Sequence, residues 1–362
     1  MKKLLCFVIS LACAICFFTQ GASAVEILIE EKDVPSDIAQ YLPDGIWDIS
    51  AEEILDTIDT STALGTVISV ISAVFPEAMK AFLGLLGLLV ISSVMASLRD
   101  TVATPAFGAF LETVSLLCVA GAAFTYTQTL FAEFEAFISQ IQSFMVAVIP
   151  TMSALLVTSG EVSSSLVFSG LLSGFVTVWE LVCASAVLPI LSSLMCVYTV
   201  SKICGENDIS GFAALLKNIL TYVLGALIVV MSCVLAFQSV IAKSADNAAV
   251  KGVKFVLGNV VPIIGGALSD AVGTVVSSVG IVKSATGIFG AIVICLIFAV
   301  PVVKLVIWKL VFDAAGAIAS TLTLKKESGF FADMSSVTAF MAAIMASVSV
   351  FLVIALTAVS MG

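Results

Sequence analysis

The chain contains no histidine, so the commonest general base, proton shuttle and metal ligand is missing from any chemistry it could perform. What remains are carboxylates inside apolar runs: Asp270 foremost, with Glu112, Glu161 and Glu180 as weaker examples. An ionisable side chain at such depth faces a cavity or a partner, where it can handle a proton, an ion or a polar solute. Asp270 stands in VVPIIGGALSDAVGTVVSS, Val260 to Ser278, together with Pro262 and the pair Gly265-Gly266. Proline removes a backbone donor and glycine loosens a helix, which leaves polar groups that hydrocarbon cannot satisfy. Two readings follow. Either Pro262, Gly265, Gly266 and Asp270 shape a polar passage, or Pro262 ends one short helix, Gly265-Gly266 turns, and Asp270 caps the next helix at the surface.

Other chemistry finds no foothold. There is no HExxH, no GxGD around Asp270 and no Walker A sequence, so ATP hydrolysis would belong to a partner. Of the nine cysteines, Cys6, Cys13 and Cys16 lie near the N-terminus. Cys118, Cys183, Cys196, Cys233 and Cys295 lie in apolar runs, and Cys204 lies at the end of one. Their spacing fits neither a metal site nor a disulfide framework, and they read as small apolar side chains between helices. No enzyme activity, cofactor, metal or nucleic-acid partner is expected.

The elements that must position Asp270 are membrane helices. With 60% hydrophobic and 11% charged residues and a mean hydropathy of +1.21, the composition is that of an all-α, polytopic transmembrane bundle. Met1 to Ala24 reads as a signal peptide: Lys2 and Lys3, an apolar run from Leu4 to Phe18, then Ala22-Ser23-Ala24. Residues 25–62 form an acidic extracytoplasmic leader in which eleven acids stand against Lys32. There Leu42-Pro43-Asp44-Gly45 reads as a turn, and Ser50 with Glu53 as a capping box. The leader either keeps the first span oriented or docks a partner.

The rest, 63–362, is the transmembrane domain. Apolar runs near 77–98, 107–130, 144–172, 175–201, 217–240, 255–281, 286–309 and 334–360 predict seven or eight spans, each near the roughly 20 residues that a bilayer needs. Pro76 is expected to end an interfacial helix that starts near Ala63. Residues 131–143 space Phe131, Phe134, Ile138 and Ile141 opposite Glu133 and Glu135, the pattern of a helix lying at the interface. Counting from an outer N-terminus puts Arg99, Lys243, Lys251, Lys254, Lys304, Lys309, Lys325 and Lys326 on or near the cytoplasmic side. Lys32, Lys202, Lys217 and Lys283 then fall outside.

A shift of 112 residues aligns VIPTMSALL, Val148 to Leu156, with VVPIIGGAL, Val260 to Leu268, pairing Pro150 with Pro262. The same shift pairs Cys183 with Cys295 and Pro189 with Pro301. Repeat units 107–201 and 217–312, with three spans each, would be inverted, and broken spans in inverted halves point to a midplane pathway. Gly170 and Gly174 also fit GxxxG, here expected to serve internal packing.

The run AKSADNAAVKGVKFVLGNVVPIIGGALSDAVGTVVSSVGIVKSATGIFG, Ala242 to Gly290, with the signal, the acidic leader and the span pattern, resembles the stage III sporulation protein AE family of endospore-forming bacteria. The resemblance implies a multi-pass protein of the mother-cell membrane around the forespore. Its implied partners are the secretion-type ATPase and ring-forming membrane proteins of the same operon, and a forespore membrane protein. Together these would form a channel joining the two cells. The family brings no catalytic residues. Two functions therefore compete: a structural component of a transenvelope complex, or a permease moving a small solute through a midplane pathway.

Overall fold

The computed structural model describes residues 31–35, 60–101, 104–204, 206–237 and 265–360; for 60–67, 99–101, 206–210 and 265–285 and for a few single positions only the backbone path is described. The signal peptide, the Leu42-Pro43-Asp44-Gly45 turn, the Ser50/Glu53 capping box and Pro262 lie outside the described residues. Beyond a short 3-10 turn, Glu31–Asp33, the described residues form long helices: α1 (Thr60–Thr101), α2 (Pro105–Thr158), α3 (Val162–Val182), α4 (Leu188–Cys204), α5 (Glu206–Phe237), α6 (Gly265–Thr321) and α7 (Lys325–Ser360). One π-helical turn, Cys183–Val187, joins α3 to α4. The all-α membrane fold is thus as the composition dictates.

Six stretches among the described residues are long and apolar enough to cross a membrane: Ile68–Leu98, Ala106–Thr158, Val162–Ile203, Gly211–Val234, Phe289–Thr321 and Lys325–Val359. The expected boundaries differ from these in instructive ways. Pro76 does not end a helix but sits exposed inside α1. It sacrifices one hydrogen bond, whereas a helix end in hydrocarbon would strand several. Nor is 131–143 a separate interfacial helix. It continues α2 from 107–130 into 144–158, because Phe134, Phe137, Ile138 and Ile141 are buried in the bundle.

The core is the α6–α7 hairpin, which forms the largest helix–helix interface. Its chain reversal is made by Schellman hydrogen bonds, Leu324 N–H to Ala319 C=O at 2.9 Å and Thr323 N–H to Ser320 C=O at 3.1 Å. Thr323 occupies the left-handed position at φ 61. Phe289, Phe298, Leu305, Phe312, Phe330, Phe331 and Leu352 fill the hairpin with fully buried side chains. The α2–α3 turn uses the same motif, Glu161 N–H to Leu156 C=O at 2.8 Å and Gly160 N–H to Val157 C=O at 3.0 Å. Here Gly160, at φ 87, takes the left-handed position.

Contacts along the hairpin fix helix directions. From α2, Ser115 meets Glu327, Tyr126 packs at a tilt against Trp308, and Glu133 meets Lys304, so α2 runs antiparallel to α6. From α3 and α4, Phe175 packs on Phe351 and Lys202 pairs with Asp333, so this pair runs antiparallel to α7 and parallel to α6. The candidate repeat units therefore share one direction and are not inverted. Where the three-span count placed a break, α2 is one continuous helix. Helix ends do not coincide under the shift either: the turn at 159–161 aligns with 271–273, inside α6. Lys202, expected on the outer side, stands instead at the hairpin-turn end with Lys326.

Candidate functional site

Of Pro150, Pro262, Gly265, Gly266 and Asp270, only Pro150 has a described side-chain environment. Gly265 and Gly266 open α6 and Asp270 lies in its first turns. The structure does not bring Pro150 to those three through any described contact. Glu112 pairs with Lys326 at 3.4 Å beside the hairpin turn, Glu161 ends the α2–α3 turn, and Glu180 is half-buried on α3.

Pro150 instead lines an outward-facing groove between α2 and α3, about 830 Å³ in volume. Ile149, Pro150 and Ser153 come from α2; Ser169, Gly170, Ser173, Gly174, Thr177 and Val178 come from α3. The groove exists because the two helices are pinned near their turn. Ser165 Oγ lies 2.9 Å from the Ser153 carbonyl and 3.1 Å from Ser153 Oγ, and Ser153 Oγ donates back to the Ser165 carbonyl at 3.3 Å. Pro150 removes the N–H that would serve the Val146 carbonyl. Gly170 and Gly174 leave the α3 backbone open, with no atom within 4 Å of the place a Cβ would take at either. Among the described residues, nothing packs closely on the GxxxG pair.

Chemically the groove offers hydroxyl oxygens and bare backbone. Ser169 Oγ donates to the Ser165 carbonyl at 2.8 Å and Thr177 Oγ1 to the Ser173 carbonyl at 2.9 Å, so these two face the groove chiefly as acceptors. No ionisable side chain lines it. The surface suits close helix approach better than a charged solute. Below it, α2 continues as an exposed polar stripe through Ser143, Ser139, Glu135, Thr129, Gln128 and Thr125.

The ionic chemistry lies elsewhere, in a column along the hairpin that sequence reasoning did not assemble. Lys304 Nζ is 2.6 Å from Glu133 Oε1. Lys309 Nζ bridges Asp313 at 2.6 Å and Ser335 Oγ at 2.9 Å. Lys202 approaches Asp333 at 3.4 Å, and Ser115 Oγ donates to buried Glu327 at 3.0 Å. Lys217 sits over the Phe340 ring, 5.9 Å from its centre. The available signal was the set of charges interrupting long apolar runs, but pairing them requires the helix directions. Among the described residues, no group of three metal-ligating side chains occurs.

Comparison with known protein families matches residues 47–362 to Stage III sporulation protein AE (spore_III_AE). Among curated proteins, Stage III sporulation protein AE of Bacillus subtilis (strain 168) is 28% identical over 185 residues. That alignment covers 51% of this chain and 46% of the relative, so it spans about half the length of the curated protein. No solved structure matches. The chain belongs to the stage III sporulation protein AE family.

Proposed function

We propose that this membrane protein of the stage III sporulation protein AE family, whose membership gives it a role in sporulation, is a structural component of a transenvelope channel or secretion-like complex linking mother cell and forespore. It resides in the mother-cell membrane around the forespore. It works with the ATPase and the ring-forming membrane proteins of its operon and with a forespore-side channel protein. The observation that carries this reading is the contrast between a filled interior and an open exterior. Aromatic side chains fill the α6–α7 core, while the hydroxyl-lined groove and polar stripe face outward, where an assembly partner would cover them.

Deleting the gene should leave vegetative growth unchanged and arrest spore formation after engulfment, scored by microscopy and heat-resistant spore counts. A growth defect in ordinary medium would sink the reading in favour of a housekeeping permease. The permease alternative predicts that Asp270→Asn and Gly266→Leu impair sporulation at normal membrane level and that purified protein supports solute flux in liposomes. If both variants sporulate normally and no flux is seen, Pro262, Gly265, Gly266 and Asp270 mark a helix boundary only.

A further inference from the structure

The helices are far longer than a bilayer is thick. With 54 residues in α2 and 57 in α6, helical rise makes them about 81 and 85 Å long, whereas the hydrocarbon core measures roughly 30 Å. Even a tilt of about 40° would keep only about 39 Å of a helix inside it. More than half of each helix therefore stands outside hydrocarbon, and the placement of charges marks the boundary.

One belt of charges crosses α1, α2 and α6 at a common level. Lys304 of α6 meets Glu133 of α2 at 2.6 Å, and Glu135 stands about 3 Å further along α2. Tyr126 lies about 10 Å from Glu133 toward the hairpin turn, and its Oη lies 3.9 Å from the place a Gly84 Cβ would take. Glu77, about 10 Å from Gly84 in the opposite direction, returns to the level of Glu133, with Lys80 about 4 Å short of it. Glu77, Lys80 and Glu135 are exposed and make no ion pair among the described residues. Exposed, unpaired charges are costly in hydrocarbon, so this level belongs to water and headgroups.

Between this belt and the hairpin turn lies a slab of bilayer dimensions. Residues 81–98 of α1 and 113–132 of α2 carry no charge, and these stretches measure about 27 and 30 Å. Exposed Leu83, Val90, Ile91, Val94 and Leu117 on them suit acyl chains. The described charges that fall within the slab are held inside the chain: Asp333 by Lys202, Asp313 by Lys309, and Lys217 against the Phe340 ring. At the hairpin end Arg99, Lys202, Lys325 and Lys326 outnumber Glu112 and Glu327, as expected of a cytoplasmic boundary. The far half, from the belt to the α2–α3 turn, lacks such a frame. Its α2 stretch, 136–158, is uncharged but carries Gln140, Gln142 and the open, hydroxyl-lined groove. The turn Glu31–Asp33, which precedes the Thr60 end of α1 in the chain, touches α2, and its three charged residues exclude hydrocarbon from that contact.

We propose that hydrocarbon covers only the half of the bundle between the hairpin turn and this belt, that the belt sits among the outer headgroups, and that the half bearing the α2–α3 groove stands outside the bilayer. The charges that read in sequence as an interfacial helix thus mark an interface that α2 crosses unbroken. The test places a nitroxide on single cysteines of the full-length protein, native cysteines replaced, reconstituted in vesicles of phosphatidylcholine and phosphatidylglycerol. Val90, Val146 and Ile68 are all exposed. Val90 lies about 15 Å from Lys80 toward the hairpin turn, whereas Val146 and Ile68 lie about 20 and 13 Å beyond the belt on the other side. Molecular oxygen, which concentrates in hydrocarbon, and a water-soluble nickel chelate then compete to relax each label. Oxygen should act more strongly than the chelate at Val90→Cys, and the order should invert at Val146→Cys and Ile68→Cys. Dominance of oxygen at Val146→Cys or Ile68→Cys, or of the chelate at Val90→Cys, would overturn the proposal. A full reversal of the pattern would place the bilayer on the far half instead. The measurement is made on the isolated chain, so it stands or fails independently of the sporulation role.

Discussion

At the scale of single residues, the charges inside this bundle are held by one another. Lys304 and Glu133 are each more than two-thirds buried, so removing one leaves the other as an uncompensated charge among apolar neighbours. Lys304→Met should therefore destabilise the protein by about 1–3 kcal/mol, less than a fully buried pair because both groups retain some exposure. Adding Glu133→Gln should recover most of the loss, since an amide needs no counter-charge. Thermal unfolding in detergent micelles, run on the wild type, the single variant and the double variant, would show whether the double melts above the single. Asp270 and Pro262 drew attention because proline, glycine and aspartate are conspicuous in an apolar run. Lys304 and Glu133 did not, because a salt bridge between residues far apart in sequence leaves no local pattern.

At the scale of elements, the two Schellman turns form a natural comparison. Gly160 takes the left-handed position between α2 and α3 without steric cost, whereas Thr323 takes the same position between α6 and α7 with a β-branched side chain. A non-glycine residue there costs on the order of 1 kcal/mol. Thr323 is exposed, so little packing is lost with its side chain. Thr323→Gly should raise stability by about 0.5–1 kcal/mol, while Gly160→Val should lower it by more than that; melting temperatures of the two variants should move in opposite directions. Much of the element structure was legible in composition and hydropathy: helices throughout, several of them long and apolar enough to span a membrane. What was not legible was where helices stop. Pro76, Pro150 and Pro301 all lie inside continuous helices, because in an apolar setting a proline forfeits one backbone bond while a helix end exposes several. Taking Pro76 as a terminus and Glu133 with Glu135 as a mark of the interface divided α1 and α2 into pieces that the protein keeps whole.

At the scale of the whole molecule, joining those pieces changes the parity of the chain and with it the topology. Six stretches of the described helices are long and apolar enough to cross a membrane, with the α1–α2, α4–α5 and α6–α7 connections at one end of the bundle and the α2–α3 turn at the other. The first end carries Lys325 and Lys326 in the hairpin connection, Lys202 in the last turn of α4 and Arg99 near the end of α1. By the positive-inside rule this end is expected to face the cytoplasm. Cysteines introduced at Glu161 and at Thr323, in a background freed of native cysteines, should then label oppositely. In intact cells an impermeant maleimide should modify the Glu161→Cys protein and spare the Thr323→Cys protein, which should react only after permeabilisation. Reversal of both results would mean that these basic residues do not set the orientation. Labelling of both from one face would contradict the single uninterrupted passage from the α2–α3 turn through α3 and α4, and would return the chain to the shorter, broken spans that its prolines advertise.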